Sequence, residues 1–316
     1  MSDHERYTGE IVDCHHHVWR KNDMPWLSGP MVPRIFGPYE PIQRDYLIEE
    51  YIADARSARI SSSVYVQPNW PLERVIDEVR WIEELNRSTG WPMAMVGSAD
   101  LFSDQAVAVM QQQKELSPLL RGTRLQLHWH EREEFRFASG PDRMNDPIFR
   151  ENIAALKDLG WLFELQVFTD QMQDAATLVA DNPQTTFVLI HAGMLVDRDK
   201  ETVHRWRAGM SALAEHPNVM VKLTGQGTFV HRVDPELLRF VAAEVVEMFG
   251  PERAMFGTNF PVEKLWTSMP LLVEAWKDAL AWLPMSDQAD IFAANTRRIY
   301  RMPDVLADLT PCRPQG

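Results

Sequence analysis

A single (β/α)8 barrel, the TIM-barrel fold of eight parallel strands, is the α/β fold class this sequence predicts, on three observations. Eight short apolar runs recur along the chain, each followed by a stretch with helical spacing, and such alternation builds repeated βα units on a parallel sheet. The length of 316 residues suits one barrel of about 250 residues with insertions. Side chains able to do chemistry stand at the ends of the first, sixth and eighth runs, where barrel enzymes carry their sites. A doubly wound open sheet is the competing arrangement of the same units.

The first four runs are Glu10-Ile-Val-Asp-Cys-His, Ser63-Val-Tyr-Val-Gln, Met93-Ala-Met-Val-Gly and Gly122-Thr-Arg-Leu-Gln-Leu. The last four are Trp161-Leu-Phe-Glu-Leu-Gln-Val, Phe187-Val-Leu-Ile-His, Val219-Met-Val-Lys-Leu and Ala254-Met-Phe-Gly-Thr. Between them, Asp146-Pro147 and Asp234-Pro235 each set an N-cap acceptor before a proline at the first helical position. Apolar residues between Asp45 and Ala58 recur with helical spacing. Two stretches break the rhythm. Residues 20–43 hold five prolines with Trp26 and Phe36 among them, and residues 128–145 begin His128-Trp-His-Glu-Arg and turn polar. Both follow a strand, so a barrel puts both on its catalytic face, as plain loops or as a substrate lid. With no linker, repeat or low-complexity tract, residues 1–316 read as one domain, the barrel running over 10–300.

Composition narrows the partners. A net charge of −13, from 45 acidic and 32 basic residues, argues against nucleic acid, which needs a basic stripe. It leaves room for an anionic small molecule, because local arginines set the sign inside a pocket. The two cysteines, Cys14 and Cys312, make no disulfide framework and suit a reducing compartment. The polar start and the lack of any apolar run of about 20 residues predict no signal peptide and no membrane span. The expectation is a cytoplasmic protein, and a homo-oligomer is in keeping with barrels of this size.

Asp13-Cys14-His15-His16-His17 is the most informative string. Side chains alternate along a strand, so His15 and His17 share one face while Cys14 and His16 take the other. Two imidazoles at the end of a first barrel strand can ligate a divalent metal or donate to a carbonyl oxygen. His191 closes the sixth run before Ala192-Gly193, and Asn259 closes the eighth in Gly257-Thr-Asn-Phe-Pro. A polar ring at the end of a buried strand needs a partner, since an unpaired one is costly.

The strings Val12-Asp-Cys-His-His-His-Val-Trp, His191-Ala-Gly, Val221-Lys-Leu-Thr-Gly and Phe256-Gly-Thr-Asn-Phe-Pro resemble the amidohydrolase superfamily. They are most similar to the amidohydrolase-2 group of sugar-acid lactonases, 2-pyrone-4,6-dicarboxylate lactonase and related decarboxylases. The resemblance runs over residues 10–300 in the family's order. It implies a barrel that hydrolyses a lactone or related carbonyl compound, with His15 and His17 as the first-strand pair and His191 as the sixth-strand histidine. It further implies Arg124 as a substrate-carboxylate arginine and puts Lys222 in the seventh-strand pattern, in a functional or a structural role.

The departures from the family pattern carry weight. Members with a full metal site use a fifth-strand histidine and an eighth-strand aspartate. This chain has Glu164 and Gln166 on the fifth strand and Asn259 on the eighth. An amide takes no proton from water at neutral pH, so Asn259 orients water or substrate and another group is the base. Glu263 is favoured, with Glu164, His130 and His191 as alternatives. His15, His17 and His191 make a poor divalent site without carboxylate charge. The expectation is therefore no cofactor, or one weakly held zinc or manganese on those three. Gln67, Trp129, His130, Gln166 and Lys222 join Arg124 as substrate contacts, and several of the eleven tryptophans are candidates to line an aromatic pocket. The favoured function is a lactonase acting on a carboxylated lactone. A metal-dependent decarboxylase and a non-hydrolytic isomerase or binding protein are the competing readings.

Overall fold

The computed structural model describes residues 5–303; Cys312 lies outside them. Eight parallel strands pair in chain order in one sheet. They are β1 (Ile11–His16), β2 (Ile60–Val66), β3 (Ala94–Gly97), β4 (Leu120–Gln126), β5 (Leu162–Gln166), β6 (Phe187–Leu189), β7 (Val219–Leu223) and β8 (Ala254–Phe256). Every run read from the sequence is a strand. The seam between β8 and β1 is closed just past the last strand: Asn259 N donates to His15 O at 2.7 Å and His17 N to Phe260 O at 2.8 Å. The open-sheet alternative is thereby excluded.

Eight long helices among the described residues follow the strands: α1 (Ile48–Ser57), α2 (Val75–Thr89), α3 (Ala106–Leu116), α4 (Pro147–Leu159), α5 (Met172–Asp181), α6 (Lys200–Ala214), α7 (Pro235–Phe249) and α8 (Met269–Leu280). The two Asp-Pro pairs start helices as expected. Asp146 accepts from the amides of Ile148 and Phe149, and Asp234 from those of Glu236 and Leu237, satisfying donors that a first turn leaves free.

Two apolar layers follow from strand alternation. Val12, Val64, Val66, Val96, Val188 and Met255 fill the barrel with Cys14, Tyr300 and Met302. Phe163, Phe187 and Val221 point outward against Phe149, Val179 and Val241 of the helices. Burying each such side chain contributes about 1.5–3 kcal/mol. No helix among the described residues is long and apolar enough to cross a membrane.

Three local expectations need correction. The pairing of β1 with β2 shifts register between Asp13 and His16. Cys14 therefore packs with the interior residues although His15 also turns to the interior, and strict alternation fails there. His16 does face away, stacked 3.7 Å from Tyr51. Neither His191 nor Asn259 lies on its strand: β6 ends at Leu189 and β8 at Phe256. Both adopt left-handed backbone, with φ of 55° and 56°.

Candidate active site

The site is built at the C-terminal ends of the strands. The ring of His15 lies 5.0 Å from that of His17 and 5.1 Å from that of His191, so the three imidazoles chosen from sequence meet. His191 reaches this place through a strained turn in which Ala192 and Met194 also have positive φ. Each such residue costs roughly 1–2 kcal/mol. The turn is held by Met194 N donating to His191 O at 2.9 Å, Trp206 Nε1 to Ala192 O at 2.9 Å and Gln226 Nε2 to His191 O at 3.1 Å. Gly225, at φ +67°, lets the next loop lie against the ring, because a Cβ there would come 2.5 Å from His191 Nδ1.

Each imidazole is oriented through Nδ1. His17 Nδ1 is 2.6 Å from the carbonyl oxygen of Val66, His191 Nδ1 is 2.7 Å from Thr224 Oγ1, and His15 Nδ1 is 3.2 Å from Lys222 Nζ. Burial holds all three well below the usual imidazole range. The Lys222 ammonium adds to the effect at His15, and the Arg124 guanidinium adds to it at His17 and His191. Lys222 donates to Glu164 Oε1 at 2.6 Å, and Tyr300 OH donates to the same oxygen at 2.6 Å. Asp13 fixes the neighbouring seam, accepting from the amides of His15 and Thr258 and from the hydroxyls of Tyr51 and Thr258.

Above the imidazoles a cavity opens to the barrel mouth. His17, His191, Asn259, Gln166 and Arg124 line its inner part; Trp26, Phe36 and Arg34 from residues 20–43, with Arg136 and Phe137 from residues 128–145, line its outer part. Both rhythm-breaking stretches thus cover the site. Arg124 Nη2 donates to the carbonyl of Gln67, and its Nε is buried without a partner. Arg34 lies over the Trp26 ring, its Nε also buried and unpartnered. Arg136 donates to the carbonyls of His130 and Glu131. Among the described residues none of the three has a carboxylate within ion-pair reach, and no acidic side chain lines the cavity.

Several sequence assignments do not reach this cavity. Trp129 and His130 stay outside it; Gln126 and His128 take their place, in step with Arg124 at every second residue. That spacing was the available signal. Gln67 lies behind Arg124, its amide donating to Arg124 O at 3.2 Å. Lys222 and Glu164 are wholly buried and paired with each other, and neither lines the cavity; His15, also wholly buried, stands just behind the lining with its ring against those of His17 and His191. Glu263 is buried beside Asn259, its Oε2 accepting from Trp266 Nε1 at 2.7 Å. Burial pushes its carboxyl up to about 8. A carboxyl raised in this way suits a proton donor better than the base favoured from sequence. Arg34, Arg136 and Tyr300 were missed; their positions depend on tertiary packing of segments far from the strands they serve.

The family pattern implies a metal in some members. Among the described residues no group of three or more His, Cys, Asp or Glu side chains is placed to hold a metal ion. The surroundings oppose one as well. Burial first, and then the charges of Lys222 and Arg124, depress the proton affinity of the imidazoles, and those two cations would also repel a divalent ion. No unpaired carboxylate offsets them at the cavity wall. The donor set does not fit tightly held zinc or manganese.

Comparison with known proteins finds relatives along most of the chain. The amidohydrolase family model matches residues 12–302. An uncharacterised protein of Sinorhizobium fredii is 30% identical over 294 residues, 92% of this chain and 98% of its own length. The L-fucono-1,5-lactonase of Burkholderia multivorans is 27% identical over 308 residues, 93% of this chain and 96% of its own. Among solved structures, a Burkholderia multivorans amidohydrolase with bound HEPES superposes with a TM-score of 0.77 at 26% identity, covering 93% of this chain and 100% of its own. The same protein with bound zinc gives a TM-score of 0.77 at 25% identity with the same coverage.

Proposed function

This chain belongs to the amidohydrolase family, and from that premise we propose that it hydrolyses a lactone or related carboxylic ester that bears a carboxylate, without a tightly held metal. One observation carries the reading: three guanidiniums without carboxylate partners surround a cavity whose inner end holds two neutral imidazoles and two amides. Arg124 takes the substrate carboxylate, which satisfies its buried Nε. That anchors the ring with its ester carbonyl toward His17 and His191.

His17 is the base in this scheme. A carbonyl only accepts, so the contact with Val66 O puts the His17 proton on Nδ1 and leaves the Nε2 lone pair for water. Burial and the Arg124 charge weaken this base in the free protein. A substrate carboxylate on Arg124 offsets that charge and recovers the part of the basicity it had removed, burial remaining. Water, oriented by Asn259, gives its proton to His17 as its oxygen bonds to the carbonyl carbon. The acyl–oxygen bond then breaks, and the departing alkoxide takes the proton from His17. Glu263, protonated behind Asn259, supports the amide's orientation. The decarboxylase reading needs a metal that this donor set does not suit.

A panel of lactones and esters, with and without a carboxylate, tests the proposal by proton release in chelator and in added zinc or manganese. Turnover is expected for carboxylated lactones, unaffected by chelator, and lowered about 100-fold or more by His17→Ala or His15→Ala with the fold intact. Carbon dioxide release that requires metal, or near-normal activity in both variants, overturns it.

A further inference from the structure

We infer that Lys222 fixes His15 as a neutral imidazole with its proton on Nε2, making that ring a hydrogen-bond donor to the substrate carbonyl and removing it as a metal ligand. The argument begins with what each atom can do. An ammonium has three donors and no acceptor, so across the 3.2 Å contact Lys222 Nζ donates and His15 Nδ1 accepts. The alternative acceptor for an Nδ1 proton, Glu164 Oε2, is 4.0 Å away, beyond hydrogen-bond reach. An imidazolium is excluded by the same contact, since it would set two cations together in a fully buried place with Arg124 and the His17 and His191 rings around it. A neutral ring has one N–H, and with Nδ1 accepting it lies on Nε2. That Nε2 is buried with no partner in the protein, and a buried donor left unmet is costly unless something fills it.

Lys222 is held to this task. Glu164 Oε1 balances its charge at 2.6 Å, and Tyr300 OH secures the same oxygen from the barrel floor. His17 is set the other way by Val66 O. Two rings 5.0 Å apart thus present opposite tautomers, one giving a proton to an oxygen that gains charge, the other taking a proton from water. A divalent ion would need a lone pair on both Nε2 atoms. The tautomer of His15 denies it one, which gives the poor metal fit a cause in a single lysine. Naming the carbonyl as the acceptor rests on the hydrolytic reading above; the position of the proton does not.

The test is imidazole ¹⁵N NMR of the full chain labelled at histidine, with His15 assigned by signal loss in His15→Asn. The expected spectrum shows His15 protonated at Nε2 and bare at Nδ1, with His17 reversed. Lys222→Met is expected to abolish the His15 preference, tighten zinc binding about tenfold or more by calorimetry, and lower kcat with KM little changed, because Arg124 is untouched. Lys222→Arg, also a donor only, is expected to keep the Nε2 proton. An Nδ1 proton or an imidazolium at His15 in the wild type overturns the inference, as does unchanged zinc affinity in a folded Lys222→Met. If Lys222→Met does not fold, the wild-type spectrum decides alone. If no lactone is turned over, the spectrum still stands, so the two proposals fail separately.

Discussion

The barrel treats two sets of buried cations in opposite ways. Lys222, beneath the imidazoles, is neutralised by Glu164 and tied to His15. Arg124, a short way up the same barrel, is almost as deeply buried yet meets only a carbonyl, and Arg34 nearer the mouth lies over the Trp26 ring beside Tyr39 without a carboxylate. Taking a guanidinium out of water without an anion is expensive, and Arg124 shows it: burial lowers its proton affinity to about 10. The lower set spends its charge inside the protein and organises a ring. In the function proposed here the upper set holds charge in reserve for a carboxylated ligand.

Breaking the upper set at its deepest point gives the largest effect. Arg124→Met is expected to cut kcat/KM for a carboxylated lactone about 100-fold, and to erase the preference over the matching neutral lactone. Equal rates on both substrates in the wild type would remove the distinction between the two sets. Arg34→Met, nearer the mouth and partly wetted, is expected to raise KM on the order of tenfold with kcat unchanged, measured on the same pair of lactones.

The smallest effect sharpens the comparison from the acidic side. Glu263 is a buried carboxyl with no cation at all, raised from 4.5 to about 8. The folded state therefore binds its proton where the unfolded chain does not. The stability this lends is complete below about 4.5 and is lost as pH rises to about 8. Glu263→Gln is expected to flatten the fall in denaturation midpoint across that window. Asp13 and Glu78, raised by burial to about 6 and about 8, keep part of the slope. An unchanged slope would mean that Glu263 is ionised in the native protein.

What the sequence made legible follows the same division. Strands could be read because Val, Ile and Leu filling a barrel leave apolar runs, and helix starts because Asp-Pro has one local meaning. His15 and His17 could be read because they lie two apart at a strand end. The register shift between Asp13 and His16 could not, since it is a property of pairing with β2. The same holds for the reach of Tyr300 from the barrel floor to Glu164, for Asp13 as the joint between β1 and Thr258, and for the approach of Arg34 and Arg136 from separate loops. These depend on distance in space, and no local pattern encodes it.

The seam of the barrel has a consequence for how the protein comes to exist. The amide of His17 is bound by Phe260, and the carbonyl of His15 accepts from Asn259, so residues from near the two ends of the chain are stitched together by the backbone of the site itself. A ribosome making this chain releases His15 and His17 early and must then build seven more strands before their partners arrive. Until the last βα unit emerges, the imidazoles have no floor, the cavity has no Asn259, and the sheet has two raw edges. No nascent fragment can therefore act on substrate ahead of completion. The same stitches make the appearance of activity a report that the ring has closed.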